Sequence, residues 1–298
     1  MTMFEYTYIN GRLFPPGRAK IPVRDRGFAY GDGIFETMRS YRGNVFMFSR
    51  HLERLFSSLR ALRFNYSFDP DEIRKAVEKT LKKNRLLKSD AYIKIMVTRG
   101  EHLGDFSFSS KYRPSVIITA KKLEVPSPVS YSDGVDLVSS TITRTSHGNS
   151  IHVHKLMNYF ENLYAKNEAY SKGAYEAVFL TRDKLVLEGA TTNIFVANGN
   201  TVYTPPLTQN ILSGVTRSVV IALCRDNGIR VRERKLHYRD LIAAGEVFLT
   251  NSIIEILPVK KVDIHCIKKQ VPGDLTSGLI NLYRLAVLKD AKEIILQA

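Results

Sequence analysis

Two residues of this sequence could carry out covalent and acid–base chemistry together: Lys155 and Glu188. Lys155 stands in His-Lys-Leu-Met-Asn-Tyr (154–159), where apolar residues begin to recur at helical spacing. Glu188 stands in Val-Leu-Glu-Gly-Ala-Thr (186–191), where a predicted strand meets a turn. A lysine amine can bond to a carbonyl carbon and later move a proton, and a carboxylate can hold a proton on a ring nitrogen. The pair therefore indicates a cofactor that carries a carbonyl and a ring nitrogen.

Three further stretches could bind a phosphate. Gly214-Val-Thr216 opens a predicted helix, whose first N–H groups suit an anion. Thr250-Asn-Ser252 is a hydroxyl-rich turn, and Arg50 offers a forked donor. Pyridoxal phosphate needs a lysine, a carboxylate, a phosphate cradle and a pocket for the substrate carboxylate. Each stretch is also typical of an ordinary helix cap, turn or solvated side chain. The residues alone therefore favour a two-domain α/β protein that binds a phosphate.

Composition limits the classes of protein to consider. The chain has 298 residues, of which 44% are hydrophobic and 24% charged, so we expect two globular domains with sizeable cores. No apolar run approaches the ~18 residues that span a bilayer. The first residues lack a basic region followed by an apolar stretch, so we expect no signal peptide. The two scattered cysteines, Cys224 and Cys266, suit a reducing cytoplasm.

The net charge of +15 has three possible explanations. The protein could bind nucleic acid, it could attract small anions such as phosphates and carboxylates, or its surface could be basic without any partner. The basic residues form only doublets, so we expect no nucleic-acid binding. His152 and His154 could ligate a metal if both faced one side of a strand. No third ligand is evident, so we expect no metal.

Strands and helices alternate irregularly, which predicts mixed sheets and an α/β (α+β) fold. We expect a strand over 34–41, a helix capped by Ser49, and a helix from Lys155 to Lys172 that Gly173 ends. Pro126 and Pro128 mark an aperiodic segment. The predicted domains are accordingly 1–120 and 135–298, joined by a linker over 121–134.

Six motifs, in order, resemble the class IV pyridoxal-phosphate aminotransferases of fold type IV. This family includes branched-chain and D-amino-acid aminotransferases and aminodeoxychorismate lyases. The resemblance covers roughly residues 5–260 and implies a small N-terminal α/β domain and a larger, pseudo-barrel-like C-terminal one. It also implies a homodimer or higher homo-oligomer. The motifs are Asp25-Arg-Gly-Phe-Ala-Tyr-Gly-Asp-Gly-Ile-Phe-Glu36, Arg50-His-Leu-Glu-Arg-Leu55, Lys155-Leu-Met-Asn-Tyr159, Glu188-Gly-Ala-Thr-Thr-Asn-Ile-Phe195, Ser213-Gly-Val-Thr-Arg217 and Thr250-Asn-Ser-Ile-Ile-Glu-Ile-Leu-Pro258.

The resemblance implies roles for individual residues. Lys155 would be the Schiff-base lysine, Glu188 the partner of the pyridine nitrogen, and Tyr159 a neighbour of the ring hydroxyl. The phosphate contacts would be Arg50, Val215, Thr216 and Ser252. Residues expected to line the substrate pocket are Tyr30, Phe35, Thr37, Tyr92 and Ile253, with Lys94 or Arg99 binding the substrate carboxylate.

The substrate is less clearly marked. Ala91-Tyr-Ile-Lys94 resembles the branched-chain pattern, so we expect a branched-chain L-amino acid as donor and a 2-oxo acid such as 2-oxoglutarate as acceptor. The loop 101–106 lacks the Arg-x-His pair of D-amino-acid enzymes. Thr37, Lys155-Leu-Met-Asn158 and Thr250-Asn251 fit a lyase that releases pyruvate from aminodeoxychorismate. That lyase, a D-amino-acid or other primary-amine transaminase, and a basic binding protein without catalysis are the alternatives.

Overall fold

A computed structural model of the chain describes residues 5–64, 69–101, 104–108, 112–148, 151–267 and 270–297, the last seven of these by backbone alone. The chain divides into two compact units. Met1–Glu124 and His154–Tyr159 form the first unit, and Val125–Val153 and Phe160–Ala298 form the second.

The first unit contains an antiparallel sheet and two long helices. Its elements are β1 Thr7–Ile9, β2 Arg12–Phe14, α1 Arg26–Tyr30, β3 Gly33–Tyr41, β4 Asn44–Val45, α2 Phe48–Ala61, α3 Pro70–Lys83, β5 Ala91–Thr98 and β6 Ser115–Lys122. The six strands are ordered β2-β1-β6-β5-β3-β4.

Strands β3 and β5 give this sheet two different faces. Their register pairs Phe35 with Met96 and Thr37 with Lys94. Because side chains alternate across a strand, these residues share one face, and Ile34 and the rest of the apolar set occupy the other. That other face packs on helices α2 and α3 through a core that includes Ile34, Met38, Leu52, Leu55, Val77, Leu81, Ile93 and Ile95.

The second unit contains a mixed sheet with helices. Its elements are α4 Pro128–Ser132, β7 Val135–Thr143, α5 Phe160–Ser171, β8 Glu176–Leu180, β9 Leu185–Gly189, β10 Asn193–Asn198, β11 Thr201–Thr204, α6 Val215–Asp226, β12 Arg230–Glu233, β13 Leu236–His237, α7 Tyr238–Ile242, β14 Glu246–Asn251, β15 Glu255–Val262, β16 His265–Cys266 and α8 Asp274–Gln297, with 3-10 helices at Ile151–Val153 and Leu207–Gln209. Ten strands are ordered β12-β11-β10-β14-β15-β7-β8-β9-β13, with β16 on β15. The pairs β11–β12, β15–β7 and β7–β8 are parallel and the others antiparallel.

The mixed α/β prediction is confirmed. The segment predicted as a linker contains the end of β6 and helix α4. Within the part of the chain that the structure describes, no helix is both long and apolar enough to cross a membrane.

Two predicted helix starts are wrong. Helix α5 begins at Phe160 rather than at Lys155, because backbone hydrogen bonds hold residues 155–157 against β3. Helix α2 begins at Phe48, and Met47 rather than Ser49 is its N-terminal cap residue. Met47 has a left-handed backbone, with φ of 52°. The spacing of apolar residues reveals neither helix start. The start of α5 depends on the pairing of residues 155–157 with β3, and the start of α2 depends on the backbone of Met47.

A buried carboxylate joins β3 to α2. Glu36 accepts hydrogen bonds from Arg54 at 2.7 and 2.8 Å, and it lies 2.8 Å from Nδ1 of His51. Burial alone would raise the pKa of Glu36. The charge of Arg54 and the hydrogen bonds from His51 and Arg54 outweigh burial and lower this pKa from 4.5 to about 2. Burial also lowers the pKa of His51.

We predict that Glu36→Gln destabilises the fold in a pH-dependent way. Because the folded pKa lies below the ordinary 4.5, ionised Glu36 stabilises the fold above that pH, by about 3 kcal/mol. This contribution should disappear as the pH falls from 4.5 towards about 2. Denaturant unfolding at a series of pH values should show the gap between the two proteins narrowing on acidification. Exposed Glu53 in helix α2 gives the control Glu53→Gln. A pH-independent gap for Glu36→Gln would contradict the prediction.

Candidate active site

The backbone of the first unit fixes the position of Lys155. The carbonyl of Lys155 accepts from Phe35 N–H at 2.8 Å, and Met157 N–H donates to the carbonyl of Gly33 at 2.8 Å. A β-bridge joins Ile34 to Leu156. Residues 155–157 therefore pair with the start of β3. Main-chain hydrogen bonds to this strand, and not the first turn of a helix, fix the position of Lys155.

The amines of Lys155 and Lys94 lie against one aromatic ring. Each Nζ lies 4.6 Å from the ring centroid of Phe35. The ring of Tyr159 meets Phe35 edge-on, with centroids 5.3 Å apart. Burial lowers the pKa of Lys94. The structure thus brings together four of the predicted site residues: the two lysines, Phe35 and Tyr159.

The other predicted residues of this unit are placed differently. Thr37 and Tyr92 share the sheet face of Phe35 and Lys94, as the register requires. Tyr30 ends α1, is 55% exposed, and meets the ring of Phe106 edge-on. Arg50 is exposed in the first turn of α2. Residues 102 and 103, within the loop compared with D-amino-acid enzymes, lie outside the described ranges.

The side chain of Arg99 is directed at protein acceptors. Its Nε donates to both oxygens of Asp32, and its other nitrogens donate to the carbonyls of Leu62 and Arg63. The guanidinium also lies 4.1 Å from the ring centroid of Phe64. A role in substrate binding stays a prediction for both cations, and the geometry favours Lys94 over Arg99.

Glu188 is a buried carboxylate of the second unit. One oxygen accepts from Leu212 N–H at 3.0 Å and from the Asn193 amide at 3.5 Å. The other lies 3.5 Å from the guanidinium of Arg144. Arg144 is itself held by Glu161 and Asn162 and lies over the ring of Phe179. A buried charge needs such partners, and Arg144 supplies the cation that sequence analysis did not identify.

The start of helix α6 lies three residues beyond Leu212. Val215 and Thr216 begin this helix, and both are buried. Among the described residues, no side chain caps the helix by a hydrogen bond at Gly214, and its first turn carries no acid. A Cβ on Gly214 would collide with the amide oxygen of Asn193, so the approach of this turn to β10 requires glycine. Unsatisfied N–H groups at a helix start, with no acid beside them in the sequence, fit a phosphate.

A turn after β14 carries the remaining predicted residues, Ser252 and Ile253. Asn251 anchors it, because its side-chain oxygen accepts from the N–H groups of Ile253 and Ile254 at 2.9 Å. The hydroxyl of Thr250 is buried, and among the described residues it has no hydrogen-bond partner. Thr250 is paired in register with Asn193. An unsatisfied buried hydroxyl in the strand that pairs with Asn193 also fits an anionic ligand.

Sequence analysis missed Glu176, which fixes the turn after Glu188. The Glu176 carboxylate accepts from Thr191 N–H at 3.1 Å, from its hydroxyl at 2.6 Å and from Ala177 N–H at 3.0 Å. Lys166 lies 3.5 Å from it, and Glu176 is fully buried. An acid at the start of the otherwise apolar strand Glu-Ala-Val-Phe-Leu (176–180) is the signal that could have identified it.

His152 and His154 do not share a strand. His152 lies in a 3-10 helix, and Nδ1 of His154 lies 3.0 Å from the hydroxyl of Ser58. In the described ranges, no group of three histidine, cysteine or acidic residues could hold a metal ion.

Comparison with known proteins identifies the family to which the chain belongs. The model of the family "amino-transferase class IV" matches residues 33–262. A Methanocaldococcus jannaschii protein with the provisional name branched-chain-amino-acid aminotransferase is 35% identical, over 91% of this chain and 93% of its own length. Aminodeoxychorismate lyase of Bacillus subtilis is 33% identical, over 93% of each chain. D-alanine aminotransferase of Bacillus licheniformis is 30% identical, over 94% and 96%.

Solved structures give the same result. The branched-chain amino acid aminotransferase of Escherichia coli superposes with a TM-score of 0.88 at 29% identity, covering 94% of this chain and 93% of that one. The branched-chain aminotransferase of Thermoproteus uzoniensis, solved with norvaline, gives a TM-score of 0.87 at 28% identity, covering 97% and 96%. A further branched-chain enzyme, solved with pyridoxamine 5'-phosphate, gives a TM-score of 0.89 at 26% identity, covering 98% and 97%. The similar proteins carry three different activities, so likeness alone does not select a substrate.

We predict that Glu176→Gln lowers the free energy of unfolding by about 2–4 kcal/mol, because it removes the charge that balances half-buried Lys166. Denaturant unfolding monitored by circular dichroism measures the loss. Glu78→Gln, at an exposed helix position, serves as the control and should change stability by less than ~0.5 kcal/mol. Equal stabilities for the two variants would rule out this account of the buried pair.

Proposed function

We propose that this chain, which belongs to the class IV aminotransferases, moves an amino group from a branched-chain L-amino acid to a 2-oxo acid such as 2-oxoglutarate. The enzymes of this family depend on pyridoxal 5'-phosphate. The observation that carries the proposal is the pair of amines, Lys155 and Lys94, against the ring of Phe35. One amine can act on the substrate Cα while the other binds its carboxylate.

The chain offers residues that would hold the cofactor. Val215, Thr216 and Ser252, with Arg50, would bind the phosphate, and the start of α6 supports this assignment because no described side chain caps it. Glu188 would hold the proton on the ring nitrogen, and its buried contact with Arg144 supports an ionised carboxylate in that role. When bound, pyridoxal phosphate supplies an aldehyde carbon for the amines and a ring that accepts the electron pair released at Cα.

Lys155 would serve as the general base. Its amine would take the proton from the substrate Cα and would later donate a proton to the carbon that the cofactor aldehyde supplies. A water molecule would then supply the oxygen of the released 2-oxo acid. The main-chain bonds to β3 position Lys155, so its amine is not needed to anchor the segment. The ring of Tyr159 meets Phe35 edge-on and lies near the amine of Lys155. Tyr159 would donate a hydrogen bond to the hydroxyl of the cofactor ring.

The substrate proposal rests on the face of the first sheet that carries Phe35. Phe35, Tyr92 and Met96 offer apolar surface on that face, and Thr37 lies opposite Lys94. Such a surface suits an aliphatic side chain. Tyr30, Ile253 and Arg99 remain assigned to the pocket by family resemblance.

The lyase is the second candidate, because Thr37 shares the face of Lys94 and one similar protein is an aminodeoxychorismate lyase. The same residues would release pyruvate without a second substrate. A D-amino-acid donor is the third, since another similar protein is a D-alanine aminotransferase. Pyruvate released from aminodeoxychorismate without an oxo acid separates the lyase from both transaminases.

We also propose a homo-oligomer, with a dimer as its smallest form. Helix α5 buries Ala165 and Ala169 but exposes Phe160, Leu163 and Tyr164 at 74%, 60% and 49%. A contiguous exposed apolar face of this kind supports contact with a second copy. Light scattering that returned the mass of one chain would exclude this.

A cytoplasmic location is likewise proposed. Cys224 and Cys266 are both free thiols, which supports a reducing compartment. Cell fractionation that recovered the protein outside the cytoplasm would refute it.

We predict that Lys155→Ala lowers kcat for L-leucine with 2-oxoglutarate by a factor of about 10³ or more. Glutamate formation measures the rate, and L-valine, L-isoleucine and D-alanine complete the donor panel. Lys172→Ala, at an exposed position directly after α5, is the control and should leave kcat unchanged. Retained turnover in Lys155→Ala would refute the assignment of the base. A panel in which D-alanine reacts fastest would refute the proposed donor.

We predict that Lys94→Met raises KM for the amino donor about tenfold or more and changes kcat less, because a bound carboxylate loses its charged partner. Steady-state kinetics with L-leucine measures both constants. Lys122→Met, at the exposed end of β6, removes a lysine charge from the same unit. Unchanged KM in Lys94→Met, or an equal rise in Lys122→Met, would argue against carboxylate binding by Lys94.

A further inference from the structure

A cavity of about 570 Å³ lies at one edge of the sheet in the second unit. Strand β13 forms that edge by pairing with β9, so that His237 lies opposite Leu185. The volume is in the range of sites that take small molecules. Its described lining includes none of the residues assigned to the cofactor or substrate. The lining residues are Ser139, Leu180, Lys184, His237, Tyr238, Arg239 and Asp263.

One wall of the cavity is fixed by a hydrogen-bonded carboxylate. Asp263 accepts from the N–H of Ser139 at 2.7 Å, from its hydroxyl at 2.8 Å and from the hydroxyl of Tyr238 at 2.7 Å. Three donors occupy the carboxylate, and the phenol of Tyr238 is committed to it. This wall therefore presents the ring of Tyr238 and the apolar side chain of Leu180 to a ligand.

Two of the other lining residues are cations. Lys184 and Arg239 both line the cavity, and both are exposed. Neither side chain makes an ion pair with any acid in the described part of the chain. The backbone of Lys184 is fixed, because its N–H donates to Thr181 and its carbonyl accepts from Tyr238 N–H at 2.9 Å. Two cations thus share a cavity with an apolar wall and with one carboxylate, Asp263, whose three hydrogen-bond donors are neutral.

We propose that this cavity binds a small carboxylate with an apolar body. Lys184 and Arg239 bind the carboxylate through charge-assisted hydrogen bonds, and Leu180 and the Tyr238 ring contact the body. A bare inorganic anion would leave the apolar wall unused, and a neutral ligand would not balance the positive charge by which Lys184 and Arg239 together exceed the single carboxylate, Asp263. The site does not involve Lys155 or Glu188, so it stands whether or not the proposed transamination is correct.

A fluorescent reporter can test the site, because the chain contains no tryptophan. His237→Trp places the only indole on the cavity lining. Hexanoate added to this protein in its cofactor-loaded form should change the indole emission saturably. Hexanamide, which keeps the body without the charge, and sulfate, which keeps a charge without the body, should bind about tenfold more weakly or worse. No saturable change with hexanoate, or equal binding of either comparison compound, would overturn the proposal.

A second measurement avoids the reporter. Saturation-transfer NMR detects hexanoate bound to the loaded Lys94→Met enzyme, in which the proposed substrate pocket has lost its carboxylate partner, and adding Lys184→Gln with Arg239→Gln should reduce the affinity about tenfold or more. The matched control is Arg230→Gln with Arg232→Gln, which removes two exposed charges from β12 at the opposite edge of the sheet. Both double variants should unfold at the temperature of the parent. Equal affinity in the two double variants would show that the cavity is not the site.

Discussion

The main-chain pairing of residues 155–157 with the start of β3 is the constraint on which the chemistry of the first unit depends. It requires backbones to approach closely at Gly31 and Gly33. A Cβ on Gly31 would lie 2.9 Å from the backbone of Asn158, and one on Gly33 would lie 2.8 Å from the carbonyl of Val97. Gly31 also has φ of 68°, which side-chain-bearing residues rarely adopt. The two glycines therefore let a lysine be positioned by main-chain bonds, while its amine lies against Phe35.

The second unit contains two buried acids, and each of them has a basic partner. Glu188 has Arg144 and a backbone N–H, and Glu176 has Lys166 and the Thr191 turn. The two systems are joined, since Glu176 bonds the turn that Glu188 precedes. Removing either cation would leave a buried carboxylate uncompensated, which costs more than the ion pair contributes. The geometry of Glu188 therefore depends on residues that need not touch any ligand.

Sequence analysis predicted the parts that depend on local pattern. The strand expected over 34–41 corresponds to β3, and the helix predicted to open at Gly214-Val-Thr216 corresponds to α6. It failed where a distant segment decides the structure. Residues 155–159 carry a helical spacing, but pairing with β3 overrides it. Arg99 looks like a candidate for anion binding until Asp32 and two carbonyls are seen to occupy it. Arg144 was not identified because its ion pair with Glu188 joins distant residues and leaves no periodic signal.

These contacts help to explain the net charge of +15. Of the buried acids, Glu36, Glu176 and Glu188 each have a basic partner at 2.7, 3.5 and 3.5 Å. Basic residues outnumber acidic ones by 44 to 29, so cations remain after these pairs are formed. Lys94 and the pair Lys184 and Arg239 are among those that face an aromatic ring or a cavity instead of an acid. A charge excess of this kind contributes little to the fold and much to the capture of anions. The positive charge is therefore compatible with a cofactor that carries a phosphate, and nucleic acid is not needed to explain it.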